Sequence, residues 1–204
     1  MKEPFSNNVA YLLDVSSLEK DFDMLLASLT KEERERTLRY VKKVDQLLSL
    51  GKYLLLKTYT GDSPLLTKPN GKPYKEVGPY FSISHCYPYC VLFLLDSSCG
   101  VDIEVNTPSR GDFLSTYLDM NQEEGDYSLL KRWNIKESCY KAKGEGYMNP
   151  KSPLKVVDDH QVIYDEGRYY IHTFEMDDAS IAFASISPFD EPTLIEVNSN
   201  RFVA

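Results

Sequence analysis

Apolar side chains recur near helical spacing at Leu38, Val41, Val44, Leu47, Leu48, Leu54 and Leu55, and Arg34, Arg36, Arg39, Lys42, Lys43 and Lys52 occupy the remaining faces. The pattern predicts a helix over Thr30–Tyr59. Thr30 followed by Glu33 is a capping box, in which hydroxyl and carboxylate satisfy early amide donors reciprocally. Gly61-Asp62-Ser63-Pro64 breaks the helix, and Pro69-Asn70-Gly71-Lys72-Pro73 is a turn signal. Tyr80–His85 and Cys90–Asp96 read as two strands of a hairpin joined through Tyr87-Pro88, with Gly100–Val105 as a further strand. Tyr127–Lys143 reads as a second helix, ended by Gly144 and Gly146. Strands are predicted over 154–157, 161–164, 168–174 and 180–187, separated by Asp165-Glu166-Gly167 and Asp177-Asp178.

The order helix, strands, helix, strands suggests two α/β halves of similar plan. They would meet near residues 96–110, giving an N-terminal half over 1–98 and a C-terminal half over 99–204. The 204 residues, 42% hydrophobic and 26% charged, describe an ordinary globular chain able to bury a core. A net charge of −8 argues against a general nucleic-acid binder, which carries a basic surplus. The charge is uneven: residues 1–75 carry a net +3 and residues 76–204 a net −11. Two readings follow, a cation or anionic ligand held between the halves, or chance variation in solvated surface. The segment Val9–Val15 is short, contains Asp14 and lacks the features of a signal peptide, and the longest apolar run, Tyr89–Leu95, is far too short to span a bilayer. Cys86, Cys90, Cys99 and Cys139 form no CxxC pair, so neither a zinc site nor a disulfide framework is expected. A cytoplasmic protein with reduced thiols and no membrane partner is the simplest expectation.

Three short constellations could carry chemistry. In Gly100-Val101-Asp102-Ile103-Glu104, strand alternation puts both carboxylates on one face and Val101 and Ile103 on the other. Paired carboxylates repel unless a cation sits between them, and oxygen ligands suit Mg²⁺; an amphipathic strand with its polar face in water is the bland alternative. In Trp133-Asn134-Ile135-Lys136-Glu137-Ser138-Cys139-Tyr140-Lys141, helical spacing stacks Trp133, Glu137 and Lys141 on one face. There Glu137 could complete the carboxylate set, and Lys141 could hold a phosphate oxygen; the bland alternative is a surface Glu–Lys pair. In Phe81-Ser82-Ile83-Ser84-His85, no elbow glycines flank Ser84, which argues against a hydrolase nucleophile. A hydroxyl and an imidazole at a strand end, with Lys72 upstream, suit anion binding instead.

In this order and spacing, Ser84-His85, the DxE strand and the Trp-x-x-Lys-Glu-x-x-x-Lys-x-x-Gly-x-Gly helix resemble the 4′-phosphopantetheinyl transferase superfamily. The pattern looks most like its larger, pseudo-dimeric, surfactin-synthetase-activating members. That resemblance implies an α/β (α+β) fold of two similar halves, each a helix on a small, mainly antiparallel sheet, related by a pseudo-twofold. It implies Mg²⁺- or Mn²⁺-dependent transfer of the 4′-phosphopantetheine arm of coenzyme A to a serine of an acyl or peptidyl carrier protein, in fatty-acid, polyketide or nonribosomal peptide synthesis. Adenosine 3′,5′-bisphosphate would leave. By family position Asp102, Glu104 and Glu137 match the metal ligands, with Glu137 also the candidate base. Lys72, Ser84, His85 and Lys141 match groups on the coenzyme A phosphates, His85 on the 3′-phosphate. With two halves in one chain, a monomer is expected.

The chain departs from the family at Gln46-Leu47-Leu48, where a first-helix arginine is usual, leaving Lys43 or Arg39 as substitutes. Cys86 follows His85 where a small hydroxyl residue is usual, and Glu123 or Glu124 could supply a further acidic group. The alternative to an enzyme is a non-catalytic coenzyme A or carrier-protein binding module. A different Mg²⁺-dependent phosphotransferase is a third reading, weakened by the lack of a P-loop.

Overall fold

The computed structural model describes residues 8–61, 63–69, 71–107, 114, 118, 128–144 and 148–203. In chain order these form β1 (Val9–Asp14), a 3-10 segment (Val15–Asp21), α1 (Phe22–Ala27), α2 (Lys31–Leu38) and α3 (Lys43–Tyr59). The short strands β2 (Leu66–Thr67) and β3 (Pro73–Tyr74) lead to β4 (Tyr80–Cys86), β5 (Tyr89–Leu95) and β6 (Cys99–Val105). Then come α4 (Leu129–Lys143), β7 (Leu154–Asp158), β8 (Gln161–Tyr164), β9 (Gly167–Glu175), β10 (Ala179–Ser185), β11 (Thr193–Glu196) and a final 3-10 segment (Ser199–Phe202). The result is a mixed α+β architecture.

One sheet runs β11-β1-β5-β4 and another β6-β10-β9-β8-β7. Every pairing is antiparallel except β1 with β11. Strand alternation divides the core into layers. On β5, Cys90, Leu92 and Leu94 pack under α3 with Leu47, Leu50 and Leu54. The intervening Val91, Phe93 and Leu95 face Val101, Ile103, Ile181 and Phe183 of β6 and β10. β10 repeats the scheme: Ala182 and Ala184 lie under α4 with Ile135, Cys139 and Ala142. A strand buried on both faces reads as a continuous apolar run, which is why Tyr89–Leu95 shows no alternation.

The helix predicted over Thr30–Tyr59 is two helices, broken at residues 39–42. The capping box is present, with Thr30 accepting from the Glu33 amide and Glu33 accepting from the Thr30 amide. The break is enforced by packing. Thr37 and Ser49 are buried and share a hydrogen bond of 2.9 Å between their hydroxyls. Twelve residues of straight helix would hold them about 18 Å apart. Leu38, Val41 and Val44, placed by periodicity on a core face, are consequently exposed.

Val9–Val15 supplies an interior strand, β1, and β11 returns the chain to that first sheet. Neither strand is anticipated by the sequence pattern. The second helix ends at Gly144 in left-handed conformation (φ 72°), as its C-cap role requires. Gly146, like Asn70, Tyr127, Glu123 and Glu124, lies outside the described residues.

Candidate functional site

The two sheets meet edge to edge, β4 ending one and β6 the other. A side chain bridges this seam: the Val101 amide donates to the Ser82 hydroxyl at 3.1 Å. Two residues further along β4, Ser84 donates to Asp102 Oδ1 at 2.7 Å. Lys141 of α4 reaches the same point, donating to Asp102 Oδ1 at 2.6 Å, Ser84 Oγ at 3.0 Å and the Val101 carbonyl at 3.1 Å. Asp102 is buried, at 4% exposure, and the Lys141 side chain is 24% exposed. The three elements carrying the sequence motifs thus converge on one ion-paired node. Taking a carboxylate out of water is tolerable here because the ammonium and hydroxyl compensate it.

Gly100 brings α4 close enough for this. A methyl group there would lie 1.9 Å from the Ser138 carbonyl oxygen and 2.6 Å from the Ala142 amide nitrogen. Gly100, Asp102 and Glu104 alternate onto the face of β6 that meets α4, and Glu104 is also buried. Glu137 is half-buried on α4. Among the described residues, no three His, Cys, Asp or Glu side chains group closely enough to hold a metal ion. The observation that fits a hard cation is Asp102 Oδ2, a buried oxygen with no hydrogen-bond partner among the described residues.

Lys72 lies apart from the node. Its ammonium donates to the Cys99 carbonyl at 3.1 Å and the Lys141 carbonyl at 2.6 Å, so it ties the turn before β3 to the C-terminal turn of α4. Desolvation, with Lys68 and Lys141 adding, holds its pKa below the ordinary lysine value. It lines a cavity of about 210 Å³ with Phe81, Tyr140, Lys141 and Gly144.

A larger cavity of about 390 Å³ shares Gly71, Pro73, Ile83 and Lys141 with that one, and it is lined further by Arg36, Lys52, Tyr53, Ser84 and His85. His85 sits at its rim. Desolvation lowers the His85 pKa, and the nearby cations of Lys52 and Lys141 push the same way. Lys52 is itself held low by burial and by Arg36. Basic groups that depress one another's charged forms would be relieved by an anion. The cations the sequence offered as substitutes lie elsewhere: Lys43 covers the Phe22 ring at 3.0 Å, and Arg39 is exposed between the two helices. Arg36 and Lys52 were missed. Lys52 was legible, since helical spacing puts it on the face of Leu56, four residues on, which lines the same cavity. Arg36 reaches the cavity only because the helix breaks.

No family model matches the chain. Three curated proteins do. The chain is 27% identical over 146 residues to the 4′-phosphopantetheinyl transferase gsp of Aneurinibacillus migulanus, covering 63% of this chain and 62% of that protein. It is 26% identical over 153 residues to a 4′-phosphopantetheinyl transferase of Bacillus subtilis, covering 66% and 68%. It is 24% identical over 190 residues to the 4′-phosphopantetheinyl transferase ffp of Bacillus subtilis, covering 78% and 82%. The first match thus spans less than two thirds of that relative's length. These similarities bear out the resemblance to the 4′-phosphopantetheinyl transferase superfamily carried by the three motifs.

Proposed function

We propose that the protein transfers the 4′-phosphopantetheine arm of coenzyme A to a serine hydroxyl of an acyl or peptidyl carrier protein. The observation that carries this reading is the convergence of Ser84, Asp102 and Lys141 at the seam, beside a cavity lined by Arg36, Lys52 and His85. Coenzyme A presents a pyrophosphate and a 3′-phosphate, and this arrangement offers separate cationic groups to each. His85, with Arg36 and Lys52, takes the 3′-phosphate. Lys72, Ser84 and Lys141 take the pyrophosphate, which requires the Lys141 ammonium to exchange Asp102 for phosphate oxygens.

Asp102, Glu104 and Glu137 are the proposed ligands of Mg²⁺, or of Mn²⁺ in its place; when bound it would neutralise pyrophosphate charge and stabilise the leaving phosphate. The chain's own groups do the rest. The carrier serine oxygen attacks the phosphorus that bears the pantetheine, and Glu137 accepts the serine proton. The bond from that phosphorus to the bridging oxygen breaks, and adenosine 3′,5′-bisphosphate leaves with the electron pair. Such a transfer depends on positioning and charge stabilisation more than on covalent help from the protein. The pseudo-twofold relation of two halves, 1–98 and 99–204, belongs to the same reading. One helix covers each sheet in the structure, α3 and α4, which supports it. A cytoplasmic, monomeric state is part of the same proposal; separately, among the described residues no helix is long and apolar enough to cross a membrane.

Incubation with coenzyme A, Mg²⁺ and apo carrier proteins tests the proposal. The expected result is a carrier heavier by one phosphopantetheine, with adenosine 3′,5′-bisphosphate released in equal amount. Unmodified carriers across fatty-acid and peptidyl types would contradict it, and coenzyme A binding without turnover would favour a binding module.

A further inference from the structure

Away from the ion-paired node, α4 buries a second polar side chain against the sheet. Asn134 is fully buried, at 0% exposure. Its Nδ2 donates to the Ser180 carbonyl of β10 at 2.6 Å, while its Oδ1 has no hydrogen-bond partner among the described residues. That contact fixes which end of the amide is which, because the reversed amide would set Oδ1 against a carbonyl oxygen. A buried amide oxygen without a donor destabilises a fold, and a positive charge beside it removes the penalty.

The sheet places this side chain at the carboxylate row. Ser180 of β10 pairs directly with Glu104 of β6, and Ala182 pairs with Asp102. Carbonyls alternate in direction along a strand. The Asp178 carbonyl accepts from the Asn106 amide just past β6, and the Ala179 carbonyl accepts from the Met176 amide just past β9. The Ser180 carbonyl, two residues after that of Asp178, therefore turns toward β6, and Asn134 lies over the seam of β6 and β10 at the level of Glu104. The helix gives a second bearing. Asn134 and Lys141 are seven residues apart, about two turns along one line of α4, and Glu137 follows Asn134 by three residues on the same face. Lys141 meets Asp102. The line thus sets Lys141 over Asp102 and Asn134 over Glu104.

We propose that Asn134 is a further oxygen donor of the divalent-cation site, its Oδ1 joining the carboxylates of Asp102, Glu104 and Glu137 as a neutral member. The inference rests on the transferase reading, in which those carboxylates hold the cation, and adds a residue to it. Amide oxygens are ordinary ligands of hard cations. A neutral oxygen attracts the cation without adding to the mutual repulsion of the carboxylates. The bond from Nδ2 to Ser180 orients the oxygen from behind, as outer hydrogen bonds orient metal ligands generally.

The test titrates Mn²⁺ into the protein, with and without coenzyme A, and follows loss of the free-ion electron paramagnetic resonance signal. Wild type is compared with Asn134→Leu and Asn134→Ala, which remove the amide oxygen by filling and by emptying its space. Asn134→Asp, which keeps an oxygen there, and Asp102→Ala complete the set, and thermal unfolding without metal checks each fold. The expected result is a Mn²⁺ Kd weaker by about 10–100-fold in the oxygen-free variants, with Asn134→Asp recovering most of the loss. An amide that served packing alone would shift the metal-free melting temperature and leave the Mn²⁺ Kd unmoved. A wild-type Kd in either folded oxygen-free variant, or no recovery in a folded Asn134→Asp, overturns the inference. If Asp102→Ala loses Mn²⁺ in the same series, the cation site and the transferase reading stand without Asn134. Absence of Mn²⁺ binding by wild type, with or without coenzyme A, overturns the cation site and this inference with it.

Discussion

Gly100→Ala tests whether contact between β6 and α4 sets the geometry of the node. The added methyl carbon would sit 1.9 Å from the Ser138 carbonyl oxygen and 2.6 Å from the Ala142 amide nitrogen. Both are backbone atoms of α4, so no rotamer change relieves them. Restoring a contact of about 3.2 Å requires the helix to retreat by about 1.3 Å, in a core packed at crystal-like density. Gly100 is not left-handed, so alanine carries no backbone penalty and the whole effect comes from the collision. Overpacking of this kind costs roughly 1–3 kcal/mol. For a chain of this size that lowers the melting temperature by roughly 2–12 °C. The same retreat would stretch the 2.6 Å contact between Lys141 and Asp102 beyond hydrogen-bonding range. A displacement near 1 Å costs about 100-fold in rate where positioning supplies catalysis. Thermal unfolding and kcat/KM for carrier modification measure both effects. A variant that melts with wild type and turns over equally would refute the claim that Gly100 sets the helix–strand distance.

Lys141→Met should lower stability by about 2–3 kcal/mol in urea unfolding, because Asp102 is left buried without its cation; the partial exposure of Lys141 keeps this below the cost of a fully buried pair. Adding Asp102→Asn to it should restore part of that loss, and full additivity would contradict the pairing. His85 has a folded pKa below its ordinary 6.5, so the unfolded state takes up its proton first. Its contribution to stability therefore falls as pH drops through 6.5 toward the lowered value, and a bound phosphate reverses the shift. Coenzyme A should bind more tightly as pH falls through that window, measured by calorimetry, and His85→Gln should flatten the dependence; an equally steep profile in His85→Gln would contradict the assignment. Burial pushes Cys90 and Cys99 up to about 12 and Cys139 higher still, so a disulfide reagent should label Cys86 alone in the native protein. Rapid labelling of two or more thiols would refute the packing of those positions.

The elements that sequence pattern predicted best were those whose signals are local. The β4–β5 hairpin, the strands β7 to β10 and the helix α4 carry alternation, turn residues and a C-cap glycine within their own span. The failures came where tertiary contact decides. The apolar repeat through Leu38, Val41 and Val44 is genuinely helical in period, yet the buried Thr37–Ser49 hydrogen bond folds the chain back and turns those residues outward. The strand β1 was obscured because its partners, β5 and β11, lie far away in sequence. At the candidate site, Ser84, Asp102 and Lys141 were legible as separate motifs, and the fold joins them. Arg36 was hidden because it reaches the cavity of His85 only through the break between α2 and α3, whereas Lys52, one helical turn before Leu56, was legible and was overlooked. Gly100 was visible as a residue of the DxE strand, but its closeness to the α4 backbone exists only once the helix is packed.

The central claim is that the node of Ser84, Asp102 and Lys141 is the seat of phosphopantetheinyl transfer. Its most direct test follows label from pantetheine-labelled coenzyme A into an apo carrier protein, with wild type and Asp102→Ala run in parallel and their folding compared by circular dichroism. Wild type should label the carrier, and Asp102→Ala should leave it unlabelled with its fold intact. Wild-type labelling by a folded Asp102→Ala protein would contradict the account.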